Sequence, residues 1–243
     1  MAARYCSSVC GRFTLASPAE TIADVFGLAD PEEVPELAPR YNIAPTEPVL
    51  TVRARREGAG AARRVAETRR WGLVPHFAKE IAGPPLFNAR AETLARRPAF
   101  RDAFRRHRCL VPADGFYEWQ AVSGRRQPFH QRRADGAPFA MAGLYACWRP
   151  EEGEPVTSCT IVTTAANALL APVHDRMPVI LDPADWDAWL DPDARDPDAL
   201  AALLRPAPEA GWVSYAVDPR VNRARHDEPT NVEPLFDEPR PAP

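Results

Sequence analysis

Proline interrupts this chain so often that it leaves little room for long helices. There are 28 prolines among 243 residues; each lacks a backbone N–H and fixes φ, so it ends or kinks a helix and is kept out of central strands. Many turns joining short elements follow from that. Within this punctuation the β-forming residues gather in runs. Strands are expected over 49–54, over a return segment ending at Trp71, and over 109–119, 138–148, 158–164, 177–181 and 212–217. Ser17-Pro18-Ala19-Glu20 reads as a capping box with Pro at the first helical position, which predicts a helix to Gly27. Residues 91–107 are helical in pattern, with Leu94, Phe100 and Phe104 on one side and Pro98 splitting the run in two. Asp182-Pro183 and Asp196-Pro197 each pair an N-cap with a first-turn proline, opening short helices that end near Leu190 and Leu204. Residues 31–48 read as loop. No βαβ rhythm, repeat or internal linker is present. The expectation is one α+β domain over 10–236, with a largely antiparallel, barrel-like sheet core, short peripheral helices and a frayed tail over 237–243.

At 45% hydrophobic and 26% charged the chain has material for a real core and is neither disordered nor fibrous. No apolar run approaches the roughly 20 residues of a membrane span, and the first nine residues lack an apolar signal core, so a cytoplasmic monomer is expected. The net charge of -3 hides an uneven distribution. Residues 90–133 hold eleven Arg against four acids and residues 53–70 seven Arg against two, whereas 182–238 hold fourteen acids against five Arg. Such asymmetry points to a basic face for an anionic partner, with solvated helix faces as the competing explanation. The five cysteines, Cys6, Cys10, Cys109, Cys147 and Cys159, have neither the spacing of a disulfide framework nor the second pair or His cluster of a zinc site. No metal or other cofactor is expected, and Cys109, Cys147 and Cys159, lying in apolar runs, read as inert and buried.

Four stretches place reactive side chains at element ends: Cys10-Gly11-Arg12-Phe13, Phe87-Asn88-Ala89-Arg90-Ala91-Glu92, Gly115-Phe116-Tyr117-Glu118-Trp119 and His174-Asp175-Arg176-Met177-Pro178. Singly, each has a structural explanation: an outward strand residue for Glu118, a loop or capping role for His174, a turn for Asn88. Together, and in this order, they make the chain resemble the SOS response-associated peptidase family, whose members shield abasic sites in single-stranded DNA. Tyr41-Asn42-Ile43-Ala44-Pro45-Thr46, Arg70-Trp71-Gly72-Leu73-Val74-Pro75 and Val221-Asn222 extend the resemblance from Cys10 to about Leu235.

The resemblance implies that the working residue is a cysteine at the mature N-terminus. Here Cys10 stands behind nine residues, in Tyr5-Cys6-Ser7-Ser8-Val9-Cys10. Two routes reconcile the two: removal of the leader by the protein itself, or initiation at Val9 through a GTG codon, with the methionine then trimmed. The second is expected, because the leader has no helical or strand pattern. A terminal cysteine is a 1,2-aminothiol, whose amine condenses with an aldehyde and whose thiol then closes a thiazolidine. The family also implies Glu118 as a proton shuttle, its pKa raised in a pocket made by Tyr117 and Trp119. Asn88 is implied to orient the amine or sugar hydroxyl, and His174 to assist ring opening. Arg12, Arg90 and Arg176 are implied phosphate contacts, with structural salt bridges as their alternative. Trp71 and the loop around Pro45 are implied base-stacking surfaces, with Phe77 where the family often has a second Trp. Two other functions compete: a thiol peptidase acting on proteins, and a single-strand binder for which Cys10 and Glu118 are dispensable.

Overall fold

The computed structural model describes residues 10–36, 38–56, 58, 60–122, 124–236 and 240–241. In chain order the elements are β1 (Arg12–Leu15), α1 (Ala19–Phe26), β2 (Arg40–Ile43), β3 (Pro48–Arg55), β4 (Arg63–Trp71), β5 (Asn88–Arg90), α2 (Pro98–Arg106), β6 (Arg108–Ala113) and β7 (Gly115–Val122). The second half continues with β8 (Arg125–Arg133), β9 (Phe139–Trp148), β10 (Val156–Ala165), β11 (Arg176–Pro178), β12 (Ile180–Leu181), α3 (Trp186–Leu190), α4 (Pro197–Ala201), β13 (Trp212–Ala216) and β14 (Arg240–Pro241). Proline keeps the helices short, as expected: α2 begins at Pro98, and α4 at Pro197 behind the Asp196 cap.

Five strands close on themselves in the order β10-β4-β3-β6-β9, because β9 pairs with both β6 and β10. Closure removes the sheet edges and encloses a core in which Cys109, Leu110, Met141, Leu144 and Ile161 are fully buried. Gly143 of β9 lies opposite Cys109 of β6. A side chain there would approach Cys109 Sγ and a Val111 methyl to 2.9 Å. Most pairings are antiparallel; β10 runs parallel to β4 and to β5. The other sheet, β14-β13-β8-β7-β1-β2, is antiparallel throughout. Phe13 and Phe116 from its inner face join the barrel core, Phe13 meeting Trp71 edge-on at 5.2 Å between centroids. Its outer face carries a small cluster of Tyr117, Tyr215, Val217 and Val221.

Several local expectations are corrected. Ser17 forms no capping box. Its hydroxyl donates to Asp114 at 2.6 Å, and Asp114 also accepts from the backbone N–H of Ala16 and Ser17. A carboxylate from the β6–β7 corner outcompetes the local Glu20, so it anchors the entry to α1. The same Asp114 breaks the expected 109–119 strand into β6 and β7. β2 lies inside the stretch read as loop, held to β1 at Phe13↔Ile43. β8 was not foreseen, because its arginines obscured an alternation that buries Pro128 and His130. Cys147 is exposed, on the outward side of β9, whereas Cys109 and Cys159 are buried as expected. Of the tail, Arg240–Pro241 pairs with β13, and the expectations for the leader and the remaining tail lie outside the described residues. Among the described residues no helix is long and apolar enough to cross a membrane.

Arg108 ties the helices to the barrel. It is buried with no carboxylate among the described residues within salt-bridge distance, and its guanidinium donates to four main-chain carbonyls: Phe104 (2.9 Å), Trp189 (2.6 Å), Asp191 (2.5 Å) and Ala194 (2.9 Å). Arg108→Met fills similar volume but orphans those acceptors. It is expected to lower stability by at least about 3 kcal/mol, a fall in Tm of roughly 6–12 °C by calorimetry; a shift of a degree or less would contradict this role.

Candidate active site

Cys10 is separated from β1 by Gly11 alone and has φ of 43°, a left-handed conformation that a side-chain-bearing residue adopts only under constraint. The constraint is visible: the Cys10 backbone N–H donates to Glu118 Oε1 at 2.5 Å across the β1–β7 pair. Register brings the two together, since Arg12 lies opposite Tyr117 and Phe13 opposite Phe116. Both residues are buried. Burial, and secondarily the charge of Glu118, push the Cys10 thiol well above its ordinary range. Burial likewise pushes Glu118 up to about 8; the Cys10 N–H and the positive charge of Arg126 pull it back, and Asp175 raises it further.

The expected pocket walls are corrected. Strand alternation turns Phe116 and Glu118 toward the main core and Tyr117 and Trp119 to the opposite face, where they pack with the outer cluster. Tyr117 donates to the Tyr41 carbonyl at 2.7 Å and holds β7 against β2. Glu118 is therefore desolvated by the space between the two sheets.

His174 lies on the turn between β10 and β11. Its Nδ1 accepts from the Arg176 backbone N–H at 3.0 Å, which leaves the neutral ring's proton on Nε2. Burial lowers its pKa, against the opposing pull of Asp175, whose carboxylate stands 3.0 Å from the same nitrogen. The turn is tied to β7 by Gln120, which donates to the Pro172 carbonyl at 2.9 Å. Arg126 acts electrostatically on both Glu118 and His174, so the β7–β8 hairpin and this turn share one field.

A cavity of about 420 Å³ opens beside Gly11, with Arg12, Pro45, Phe87 and Trp119 around it and Arg126 and Asn222 at its margin. Cys10 lies one residue behind this floor. Asn88 is half-buried on β5, next to Phe87 and alongside Ile161 of β10. Trp119 and Asn222, joined by a 2.5 Å bond from the indole N–H to Oδ1, were not assigned from sequence, nor were Phe87 and Arg126. The alternation of Tyr117 and Trp119 was the available signal for Trp119.

Trp71 and Arg176 stand differently from their expected roles. Trp71 is fully buried and offers no face to a base; this corrects its assignment as a stacking surface. Its indole donates to the Phe87 carbonyl at 2.8 Å, and its carbonyl accepts from Thr46, whose φ of 78° sets the turn that presents Pro45. Trp71 thus positions two walls of the cavity. Arg176 forks onto Glu92 at 2.7 and 3.0 Å and also reaches the Thr163 carbonyl, so the salt-bridge alternative describes it in this state. Arg12 donates to Asn42 Oδ1 and the Val221 carbonyl, with Glu47 acting on it electrostatically but no carboxylate among the described residues within salt-bridge distance. Arg90 is exposed at the end of β5, and Phe77 is exposed beside His76. Among the described residues no group of three or more His, Cys, Asp or Glu is disposed to hold a metal ion.

The family model "SOS response associated peptidase (SRAP)" matches residues 9–224. The chain is 39% identical over 227 residues to abasic site processing protein YoqW of Bacillus subtilis, covering 93% of this chain and 99% of that one. It is 32% identical over 218 residues to abasic site processing protein YedK of Escherichia coli, covering 86% and 94%. Among solved structures, a Bacteroides thetaiotaomicron protein superposes with a TM-score of 0.81 at 23% identity over 93% of this chain and all of that one, a likeness of fold. A Bordetella bronchiseptica protein gives 0.71 at 29% identity, over 86% of this chain and all of that one.

A carboxyl whose folded pKa is raised binds its proton more tightly when folded, so stability falls as pH rises from the unfolded value through about 8. In the full 243-residue chain, Glu118→Gln is therefore expected to gain stability relative to the parent as pH goes from about 5 to about 9. Thermal melts at several pH values check this; a constant offset would mean that Glu118 is not held protonated.

Proposed function

As this chain belongs to the SOS response-associated peptidase family, we propose that it processes abasic sites in single-stranded DNA by trapping them covalently on Cys10. The relatives named as abasic site processing proteins support the substrate. The observation that carries the chemistry is the 2.5 Å contact between the Cys10 nitrogen and a carboxyl that holds its proton near neutral pH.

The reaction needs the Cys10 nitrogen as a free amine. Its reference pKa of about 7.7–8.0 leaves a usable neutral fraction at physiological pH. His174, with its proton on Nε2, assists opening of the deoxyribose ring to the aldehyde, and Asn88 orients the amine or the sugar hydroxyl. The amine adds to the aldehyde carbon, and Glu118 delivers the proton that lets hydroxide leave as water, giving the imine. The thiol then adds across the C=N bond, sulfur to carbon and proton to nitrogen. One water is lost overall, a C–N and a C–S bond form, and nothing is oxidised. A thiol kept protonated by burial does not compete for the aldehyde before the imine exists.

Arg12 and Arg90 contact phosphates, Pro45 and Trp119 support the bases flanking the lesion, and Arg176 joins them when it parts from Glu92. The protein acts as a cytoplasmic monomer. The same contact also favours cleavage ahead of Cys10. There Glu118 adjoins the nitrogen that leaves when the thiol attacks the preceding carbonyl, and water then releases the thioester.

With protein beginning at Cys10 and a single strand carrying an abasic site, a denaturing gel is expected to show a persistent protein–DNA band, absent for Cys10→Ser. A covalent band that survives in Cys10→Ser sinks the proposal. The rate is expected to rise with pH as the amine is freed. Glu118→Gln should slow the reaction by about 10²-fold or more. An unchanged rate removes Glu118 from its role.

A further inference from the structure

The two arginine-rich runs have opposite fates in the fold. Most of the run over 53–70 is paired with carboxylates of the protein itself. Arg53 and Arg69 meet Glu67, Arg63 meets Glu33, Arg56 meets Asp193 and Arg64 meets Asp187. Two of those acids come from the acidic stretch within and just after α3, so that stretch discharges one basic surface and leaves the other. On the segment leading from β5 into α2, Arg90, Arg96, Arg97, Arg101, Arg105 and Arg106 are all exposed. Among the described residues the only carboxylate within salt-bridge distance of any of them is Asp102, 3.4 Å from Arg101. The other acid on this segment, Glu92, is occupied by Arg176.

Arg97, Arg101 and Arg105 repeat every fourth residue. Arg101 and Arg105 stand one turn apart on α2, about 6 Å along the axis, close to the separation of neighbouring phosphates in an extended strand; Arg97 is the extended N-cap residue ahead of them, its guanidinium 5.5 Å from the centre of the Phe100 ring. The helix buries Phe100, Ala103 and Phe104 beneath this row, so the row sits on a rigid support. It begins seven residues beyond Arg90, at the end of the strand that carries Asn88.

We infer that the α2 row is a second, non-catalytic contact surface, taking the phosphate backbone of the single strand as it leaves the cavity. The inference rests on the proposed function. It adds a fixed path beyond the lesion, and it makes affinity depend on strand length as well as on the damaged sugar.

Strand length and salt separate the two ideas. Binding is measured by fluorescence anisotropy on strands of about 5 and about 20 nucleotides bearing an abasic site, across a salt series. The triple variant Arg97→Gln, Arg101→Gln, Arg105→Gln is expected to bind the long strand at least about tenfold more weakly, with a log–log salt slope shallower by about 2. Its binding and crosslinking of the short strand should match the parent, and the all-Lys triple should keep the slope. The control triple Arg53→Gln, Arg56→Gln, Arg64→Gln should leave the slope alone. Circular dichroism melts report whether each variant folds. An unchanged slope and affinity for the long strand in the α2 triple, or an equal loss in the control triple, overturns the inference. Failure of the parent to crosslink the short strand overturns the proposed function instead.

Discussion

The structure turns on one contact: a buried carboxyl facing the nitrogen of a buried cysteine. Neither group is accommodated easily alone. Desolvation holds Glu118 protonated toward pH 8, and the left-handed backbone at Cys10 persists because Glu118 holds its N–H while the β1–β7 register and the Asp114 corner fix the chain that follows. In a medium of low polarity a hydrogen bond to that carboxyl is stronger than it would be in water, and a proton moving between carboxyl and nitrogen needs little reorganisation. Much of the fold serves to keep this pair dry and aligned. The closed barrel presents Phe13 and Phe116 with a core to pack on, Tyr117 pins β7 to β2, and Trp71 fixes both the Pro45 turn and Phe87 from beneath.

Charge is sorted by the same fold. A nearly neutral chain becomes a molecule with a discharged face, where Asp187 and Asp193 meet Arg64 and Arg56, and a charged face along α2. Pairing within the protein, rather than composition, decides which arginines remain available to a polyanion. Arg176 illustrates the intermediate case: its fork onto Glu92 also holds the turn that sets the tautomer of His174.

What the sequence made legible follows from locality. The α1 terminus at Gly27, the split at Pro98 and the Asp caps at Asp182 and Asp196 rest on residues a few positions apart, and they stand as expected. The β3–β4 hairpin and the raised pKa of Glu118 were also readable. What escaped depended on partners far along the chain. Ser17 looks like a cap until Asp114 arrives, 97 residues away. β2 is a loop by composition and a strand only because β1 lies beside it. Trp71 carries the family motif yet works from inside the core, and the indole that lines the cavity is the half-buried Trp119, one residue past the glutamate. Even the environment of Glu118 was misassigned, because adjacent strand residues point to opposite faces.

The most direct test of the account is the mass of the covalent product. Protein beginning at Cys10 is mixed with an abasic oligonucleotide, denatured without any reductant and analysed intact and after digestion. The account predicts the sum of protein and DNA masses less one water, with both the nitrogen and the sulfur of Cys10 bonded to the sugar carbon. A product joined through sulfur alone, or formed while the Cys10 nitrogen is still in an amide, would contradict it.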